Sequence, residues 1–513
     1  MRPQFLLSLL TGFSARDCNL KIFKVFFVKF SNVSLFTGAK ICLVLLFISS
    51  CDFRNLRALC DQEVLVVNTT EVGADPGALC PPGEPCTLRS ALLTAAFCAG
   101  TKTIRLQSGA TYTLNTEYVQ SSRDLLHNDR VGRVMLPRIF TNVIIEGEGE
   151  GATIEIPSFQ FGRLFHVTQG GNLTLRNLTL RGGSPQAVYN EGYLTLDNVT
   201  FEGNREVHAV YNKNILNEDS PPNLIARNCE FRSNSGGAIH NDEGGVAEID
   251  NCDFLRNRYY MIRRDGGAAL RITGGGVTVL NGTKFSDNTS YQYGSSIFIN
   301  SGRLDVRAST FENDPSSTFE SLHPEPMYIN GSTARVTIDQ CTFTRNYGRQ
   351  AGCINLINGN LTITRSTFYQ NTTGSSGGAI FSFGNLTLKD VTIHQNIARS
   401  KGAVAGINIA GGTAEISNSV ISNNLPQNYG VTIPIVSHHV NISTDGTHSA
   451  FRVISDPNFE GGLRNNGGLT ETLLPAASSP LVNAGTDNMP RQDQRNGKRP
   501  VGGAVDVGAV ERQ

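Results

Sequence analysis

The chain has 513 residues, with 44 Lys+Arg against 44 Asp+Glu. Residues 1–50 hold Arg2, Arg16, Lys21, Lys24, Lys29 and Lys40 against the single acid Asp17, so the rest of the chain carries 38 bases against 43 acids and is mildly acidic. That balance argues against a nucleic-acid binder, which needs a basic surface to displace counterions from phosphates; 39% hydrophobic residues, 17% charged residues, 53 Gly and no Trp fit a globular or repetitive β-protein, not a disordered or collagenous chain.

In chain order, the first element is a leader over residues 1–50. Its run Ile41-Cys42-Leu43-Val44-Leu45-Leu46-Phe47-Ile48 is too short to cross a bilayer but has the length of a signal-peptide core, with Lys40 as the positive residue before it. Ile48-Ser49-Ser50-Cys51 resembles the lipobox of bacterial lipoproteins, which makes Cys51 the candidate lipidated mature N-terminus. The competing reading is an ordinary cleaved signal peptide with Cys51 incidental. No later segment approaches about 18 consecutive apolar residues, so a lipid anchor is the only membrane attachment expected. Eight cysteines follow, Cys60, Cys80, Cys86, Cys98, Cys229, Cys252, Cys341 and Cys353, and an even set in an exported chain reads as disulfides. Their spacing matches no zinc pattern.

Residues 51–115 read as an N-terminal cap. Thr87 is placed to N-cap a short helix through Phe97. That helix would close the apolar end of the repetitive region on its C-terminal side, with Cys80, Cys86 and Cys98 bracing it.

From residue 172 the sequence repeats. Asn172-Leu-Thr-Leu-Arg-Asn-Leu-Thr-Leu180, Tyr193-Leu-Thr-Leu-Asp-Asn-Val-Thr-Phe201 and Asn223-Leu-Ile-Ala-Arg-Asn-Cys-Glu-Phe231 open a series of ten copies ending at Ile421, with a mean interval of about 27 residues from Phe201 onward. Each copy alternates apolar and polar residues, as a strand with one buried face does. One coil cannot bury its own apolar side; stacked coils bury a continuous core and pair every backbone group with the coils above and below. The expected fold is all-β, a right-handed parallel β-helix, with coils over 116–424 and further coils and an irregular cap over 425–513; the hand follows from the twist of parallel crossovers. Phe is followed three residues later by Asn at Phe201/Asn204, Phe231/Asn234, Phe254/Asn257, Phe285/Asn288, Phe343/Asn346 and Phe368/Asn371. The rings should stack inside, and the Asn residues should mark turns, tolerating left-handed backbone and bonding to one another between coils. Cys229 and Cys252 share a slot on neighbouring coils, as a bridge or as two buried thiols.

The Gly-Gly-Ala-Ile segments at 236–239 and 377–380, together with Phe-x-x-Asn, resemble the repeats of chlamydial polymorphic outer-membrane proteins. Cys86-Thr87-Leu88-Arg89-Ser90-Ala91-Leu92 resembles the N-terminal domain named for its Cys-Ser-Leu-Arg-Glu-Ala signature, with Thr87 and Ser90 in place of Ser and Glu. The ending around Asn466-Gly467-Gly468, Asp493-Gln494-Arg495 and Asp506-Val507-Gly508-Ala509 is similar to that of many such proteins. The resemblance implies a surface location and an adhesin-type role.

Chemistry is sparse. β-Helices carry polysaccharide lyases and hydrolases, and lyases of the pectate type gather Asp ligands for calcium on an outward face. The acids to test for that role, or for weak cation or glycan contact, are Glu230, Glu248 and Asp253, against the plainer reading of a solvated acidic face; a weakly held Ca2+ is the only cofactor the sequence admits. Arg176, Asp197, Arg227, Asp250, Arg307, Asp339 and Lys389 occupy one outward register position with alternating sign, which reads as a ladder of charges between coils. His438, His439 and His448 read as loop residues, and Asp493, Arg495, Arg499 and Asp506 as Asp–Arg pairs of a turn-rich cap. Two outward columns, Thr174, Thr195, Thr337, Thr362, Thr387 and Thr179, Thr200, Thr310, Thr342, Thr367, Thr392, form a hydroxyl-rich face that could meet a polysaccharide or reflect β propensity alone. No catalytic residue is assigned. The expected function is a binding or adhesion-type or structural role at the cell surface or envelope, with a polysaccharide or a host-cell ligand as the expected partner, and a polysaccharide lyase or hydrolase acting from the acidic face as the alternative.

Overall fold

The computed structural model describes residues 58–70, 79–80, 85–117, 133–214, 223–260, 266–312, 324–486 and 492–513. The chain winds as a right-handed parallel β-helix, and every described strand pair is parallel. Each coil contributes three short strands and so builds three faces. Val246–Asp250, Asp253–Leu255 and Leu270–Ile272 are examples from the first, second and third face. Among the described residues no helix is long and apolar enough to cross a membrane. Cys51 and the leader lie outside the described residues.

The alternating residues fill the axis. Phe201, Phe231, Phe254, Phe285, Phe311, Phe343 and Phe368 stack in one file with ring centroids 4.5–5.0 Å apart, and all are fully buried. Offset stacking of this kind adds to the burial of 150–250 Å² per aromatic ring.

The asparagines three residues on form two ladders, Asn204 to Asn288 and Asn346 to Asn424, each side-chain amide donating to the next Oδ1 over 2.8–3.0 Å. Their backbone is not left-handed. That conformation falls on the preceding residue, as at Ser233 (φ 53°) and Arg256 (φ 52°), and on the corner between the first and second faces, as at Asn198 (φ 54°) and Asn251 (φ 50°). The reason is geometric: an amide that must point inward to reach its neighbours cannot also sit at the apex of the turn. In the Gly-Gly-Ala-Ile segments, a Cβ on Gly236 would lie 2.4 Å from Val207 N, and Gly377 takes φ 78°.

The helix Leu88–Phe97 closes the N-terminal end, with the Thr87 hydroxyl accepting from the Ser90 backbone N–H. Disulfides join Cys60 to Cys98 and Cys80 to Cys86. The other four body cysteines, expected in bridges, are free and buried. Cys229 N–H donates to Cys252 Sγ at 3.3 Å, the same contact that Cys341 N makes to Ser366 Oγ and Val391 N to Ser419 Oγ. Cys229, Cys252 and Cys341 therefore stand in a serine-like slot between coils, and Cys353 lies apart from it beside Asn346.

The described residues 456–486 and 492–513 run along the flank of the second face. Thr342 donates to Glu471 O (2.7 Å), Thr367 to Gln494 Oε1 (2.6 Å), and Ala509 N donates to Thr392 Oγ1 (3.0 Å). Those three threonines are at most 2% exposed, so this half of the outward column is an internal seam. Asp493 pairs with Arg495 at 2.7 Å, and the fully buried Arg499 lies 3.5 Å from Asp390 and 3.3 Å from Glu511.

Candidate functional site

Glu230 and Asp253 are register partners on adjacent coils of the second face. Arg232 holds Glu230 at 2.9 Å; burial pushes the Asp253 carboxyl up, and Lys284 on the next coil only partly offsets it. Glu248 lies around the corner on the first face, between Ile225 and Val279. The three acids therefore do not converge, because the left-handed corner at Asn251 turns the chain between Glu248 and Asp253. Among the described residues, no group of three or more His, Cys, Asp or Glu is placed to hold a metal ion.

The alternating charges do form a ladder. Arg176, Asp197, Arg227 and Asp250 are successive register partners, Arg227 lies 3.8 Å from Asp250 and Arg307 3.7 Å from Asp339. A second ladder, not read from the sequence, runs through Glu155, Arg181, Glu202 and Arg232 on the second face at 3.2–3.4 Å. Both use acids for cross-coil pairing, at roughly 0.2–1 kcal/mol per pair.

The third face carries the concentration of chemistry that the sequence reading missed. Its outward position on successive coils is His166, Tyr189, Tyr211, His240, Arg271, Phe298, Tyr328, Asn355 and Phe381. Tyr189 and Tyr211 stack 5.2 Å apart, with His166 and His240 edge-on at either end at 5.1 and 5.0 Å. Further along, Arg271 lies 5.3 Å from the Phe298 ring centroid, and Phe298 stacks on Tyr328. The file exists because each of these strands places one outward side chain between two inward ones, and parallel in-register stacking repeats that position coil after coil. The signal was available in Ala187-Val-Tyr-Asn190, Ala209-Val-Tyr-Asn212 and Ala238-Ile-His-Asn241, had these been aligned on one another in place of the Phe-ending strands.

Polar groups rim the rings. His166 meets Glu191 at 2.9 Å, and Lys213 reaches Glu191 at 3.3 Å. The His166 contact holds the Glu191 carboxyl below its ordinary range despite burial. Asp242 accepts from Tyr211 Oη (3.0 Å) and from Thr273 Oγ1 (2.6 Å), and Thr273 Oγ1 lies 2.7 Å from His240 Nε2. Since the Thr273 proton is committed to Asp242, the imidazole must donate from Nε2. Burial, then Arg271, holds His240 down to about 3, so the ring is neutral. Burial and Asp242 raise Tyr211, and Lys213 is raised by the Tyr189 hydroxyl and Glu191 against the effect of its own burial. These shifts move the titration of each group away from pH 7, which suits fixed donors, acceptors and stacking surfaces more than proton transfer.

Arg163 stands at the corner beside this file. Its guanidinium lies 4.5 Å from the Tyr189 ring centroid and donates from Nε to Gln186 Oε1 at 2.8 Å.

His438 ends a strand on the last regular coil, His439 bonds Thr486, and His448 packs against Tyr429 and Phe451. The Thr174 column on the first face is half-buried or exposed throughout.

Residues 163–317 and 268–447 match the family described as "Right handed beta helix region", which together is more than half of the chain. No curated protein matches the sequence. Among solved structures the chain is similar to pectate lyase Pel9A, at 15% identity over 88% of this chain and 97% of that one with a TM-score of 0.39. It is also similar to the catalytic domain of a GH87 alpha-1,3-glucanase in complex with tetrasaccharides, at 13% identity over 72% and 70% with a TM-score of 0.43, and in complex with nigerose, at 13% over 75% and 69% with a TM-score of 0.39. At these identities the likeness is one of fold. The chain belongs to the right-handed β-helix family.

Proposed function

We propose that this protein is an exported β-helix of the cell surface or envelope that binds glycans along its third face. One observation carries the reading: the half-exposed, stacked pair Tyr189 and Tyr211, backed by the buried His166 and bordered by hydrogen-bonding groups in Glu191, Lys213, Asp242 and Thr273. The half-exposed edges and hydroxyls of the stacked Tyr189 and Tyr211 rings meet sugars while the polar rim meets their hydroxyls, the division of labour of a small-molecule site with few placed polar groups. Export is supported by the leader and by the Cys60–Cys98 and Cys80–Cys86 disulfides, which persist in oxidising compartments. Anchoring through a lipid on Cys51, and a host or cell-surface ligand, are part of the same proposal and rest on the lipobox and repeat motifs.

The test is a glycan array probed with the purified protein and with Tyr189→Ala and Tyr211→Ala. Retention of at least one glycan class that both substitutions weaken supports the reading, and no retention at all overturns it. Product release from a retained glycan would move the protein to the lyase or hydrolase alternative. Mass spectrometry of the mature N-terminus tests the anchor: an unmodified residue other than Cys51 removes it.

A further inference from the structure

The large apolar side chains that the fold leaves exposed gather at one end of the solenoid. Among the described residues the exposed phenylalanines are Phe97, Phe140, Phe159 and Phe161, all in the closing helix or the first coils, and Phe383 far from them. Phe159 and Phe161 stand out furthest, at 74% and 55% exposed. Their loop is pinned: Arg205 donates to Ser158 O at 2.5 Å and to Gln160 O at 3.3 Å, Gln160 N donates to Pro157 O at 3.0 Å, and Gln160 Nε2 donates to Asn115 O at 2.9 Å. A loop fixed through its backbone and its middle residue holds the two flanking rings in water, where a slack loop would fold them against the chain. Single exposed apolar side chains are ordinary, but a gathered and fixed set marks a surface that another body covers.

The length of chain before this end supplies the occupant. Cys51 lies nine residues before Cys60, and a disulfide fastens Cys60 to Cys98, next to Phe97 at the end of the closing helix. Nine residues reach about 30 Å when fully extended, so a lipid on Cys51 keeps the bilayer within that distance of this end. Asn142–Gly147 pairs with Lys102–Leu106, which pairs with Val64–Val67; the loop 157–161 belongs to the coil of Asn142–Gly147 and so lies about 10 Å along the axis from the first described strand. Phe383 precedes Asn385–Lys389, nine coils further on, which is about 40 Å away. We propose that the N-terminal end of the solenoid seats in the headgroup region of a bilayer, with Phe97, Phe159 and Phe161 entering it beside the lipid on Cys51, so that the β-helix projects from the membrane along its axis. Moving these rings out of water adds to the hold of the acyl chains and fixes the orientation that a flexible tether leaves free. This rests on the anchoring part of the proposed function and adds the protein surface that meets the membrane.

The chain contains no tryptophan, so Phe97→Trp, Phe161→Trp and Phe383→Trp each introduce a single indole emitter. Each mature acylated variant is reconstituted into vesicles of phosphatidylethanolamine and phosphatidylglycerol, with and without phospholipid brominated near the headgroup end of its acyl chains, and a thermal melt confirms folding. The expected result is a blue shift and a loss of about half or more of the emission in brominated vesicles at residues 97 and 161, with residue 383 unchanged. Vesicle-held protein without quenching at residue 161 overturns the proposal and leaves the lipid anchor standing. Equal quenching at 161 and 383 overturns it as well, because the solenoid then lies flat on the bilayer. Emission at residue 161 that follows protein concentration and not lipid assigns the patch to a second copy of the chain and likewise overturns it. If mass spectrometry finds no lipid on the mature N-terminus, the anchoring reading falls by itself; the same vesicles added to that unacylated protein then decide the proposal, quenching at residue 161 sustaining the membrane contact and its absence removing it.

Discussion

Asn257→Ala tests whether the buried asparagine ladder holds the coils together. Asn257 is fully buried. Its amide donates to Phe231 O at 2.8 Å and to Asn288 Oδ1 at 3.0 Å, and its Oδ1 accepts from Asn234 N at 3.2 Å and Asn234 Nδ2 at 2.8 Å. Asn288 Oδ1 keeps a partner after the substitution, because the backbone N of residue 257 also donates to it. The Asn234 backbone N–H and one Asn234 amide hydrogen lose theirs, and the Phe231 carbonyl, which belongs to a paired strand, loses one accepted bond. Each stranded buried group costs about 1–3 kcal/mol, and a water entering the vacated space recovers part of it, so the expected loss is about 3–5 kcal/mol. A solenoid loses coils locally as well as globally, so the assay is native-state hydrogen exchange at residues 231–234, 254–257 and 285–288 beside a urea melt. Asn251→Ala is the matched control: an exposed asparagine at a left-handed corner, φ 50°, where the loss is about 1–2 kcal/mol from backbone strain. A loss under about 1 kcal/mol at Asn257, or equal losses at the two sites, would refute the argument that the ladder's buried bonds, not its turn geometry, carry the stability.

Phe285→Ala, which removes a ring stacked 5.0 Å from Phe254 and 4.5 Å from Phe311, should cost about 3–5 kcal/mol in a urea melt. Acid should destabilise the fold through its buried neutral imidazoles. His240 is held down to about 3 in the folded state against about 6.5 unfolded, so below pH ~6.5 the unfolded chain takes up a proton that the native one refuses. Stability falls by about 1.4 kcal/mol per pH unit until the folded value is reached, and His240→Gln should flatten that limb in melts from pH 7 to 4. Glu325 runs the other way, since burial raises its carboxyl to about 7; stability is lost as pH rises from about 4.5 through 7, and Glu325→Gln should stabilise the protein at pH 8. Cys229, Cys252, Cys341 and Cys353 should react with a thiol reagent only in denaturant, and Cys252→Ser should change the urea midpoint by less than about 1 kcal/mol because serine fills the same slot on other coils. Arg499→Met strands Asp390 and Glu511; the expected cost is about 3–5 kcal/mol, read as faster proteolysis of residues 456–513.

The coil was legible in the residues alone. Period-two alternation, a repeat near 27 residues and Phe-x-x-Asn leave one economical way to bury each strand. The Phe file, the Asn ladder and the Arg176-to-Asp250 charge alternation follow from register, a one-dimensional property that can be counted along the chain, and the Thr87 cap follows from local helix chemistry. Where a coil's three strands point, and what lies over them, is settled only in three dimensions. Glu248 and Asp253 read as outward acids of one coil, yet one left-handed residue between them puts them on different faces. Thr342, Thr367 and Thr392 read as an open surface until a segment some 130 residues away along the chain covers them. The cysteines show the same limit: an even count suggested bridges, but only the stacked geometry makes Cys252 an acceptor for a backbone N–H. The aromatic third face belongs to both classes. Its register can be counted from Ala187-Val-Tyr-Asn190, Ala209-Val-Tyr-Asn212 and Ala238-Ile-His-Asn241 once the turns of variable length are set aside, whereas the closing of Glu191, Asp242 and Thr273 around its rings is fixed only by the pairing between coils.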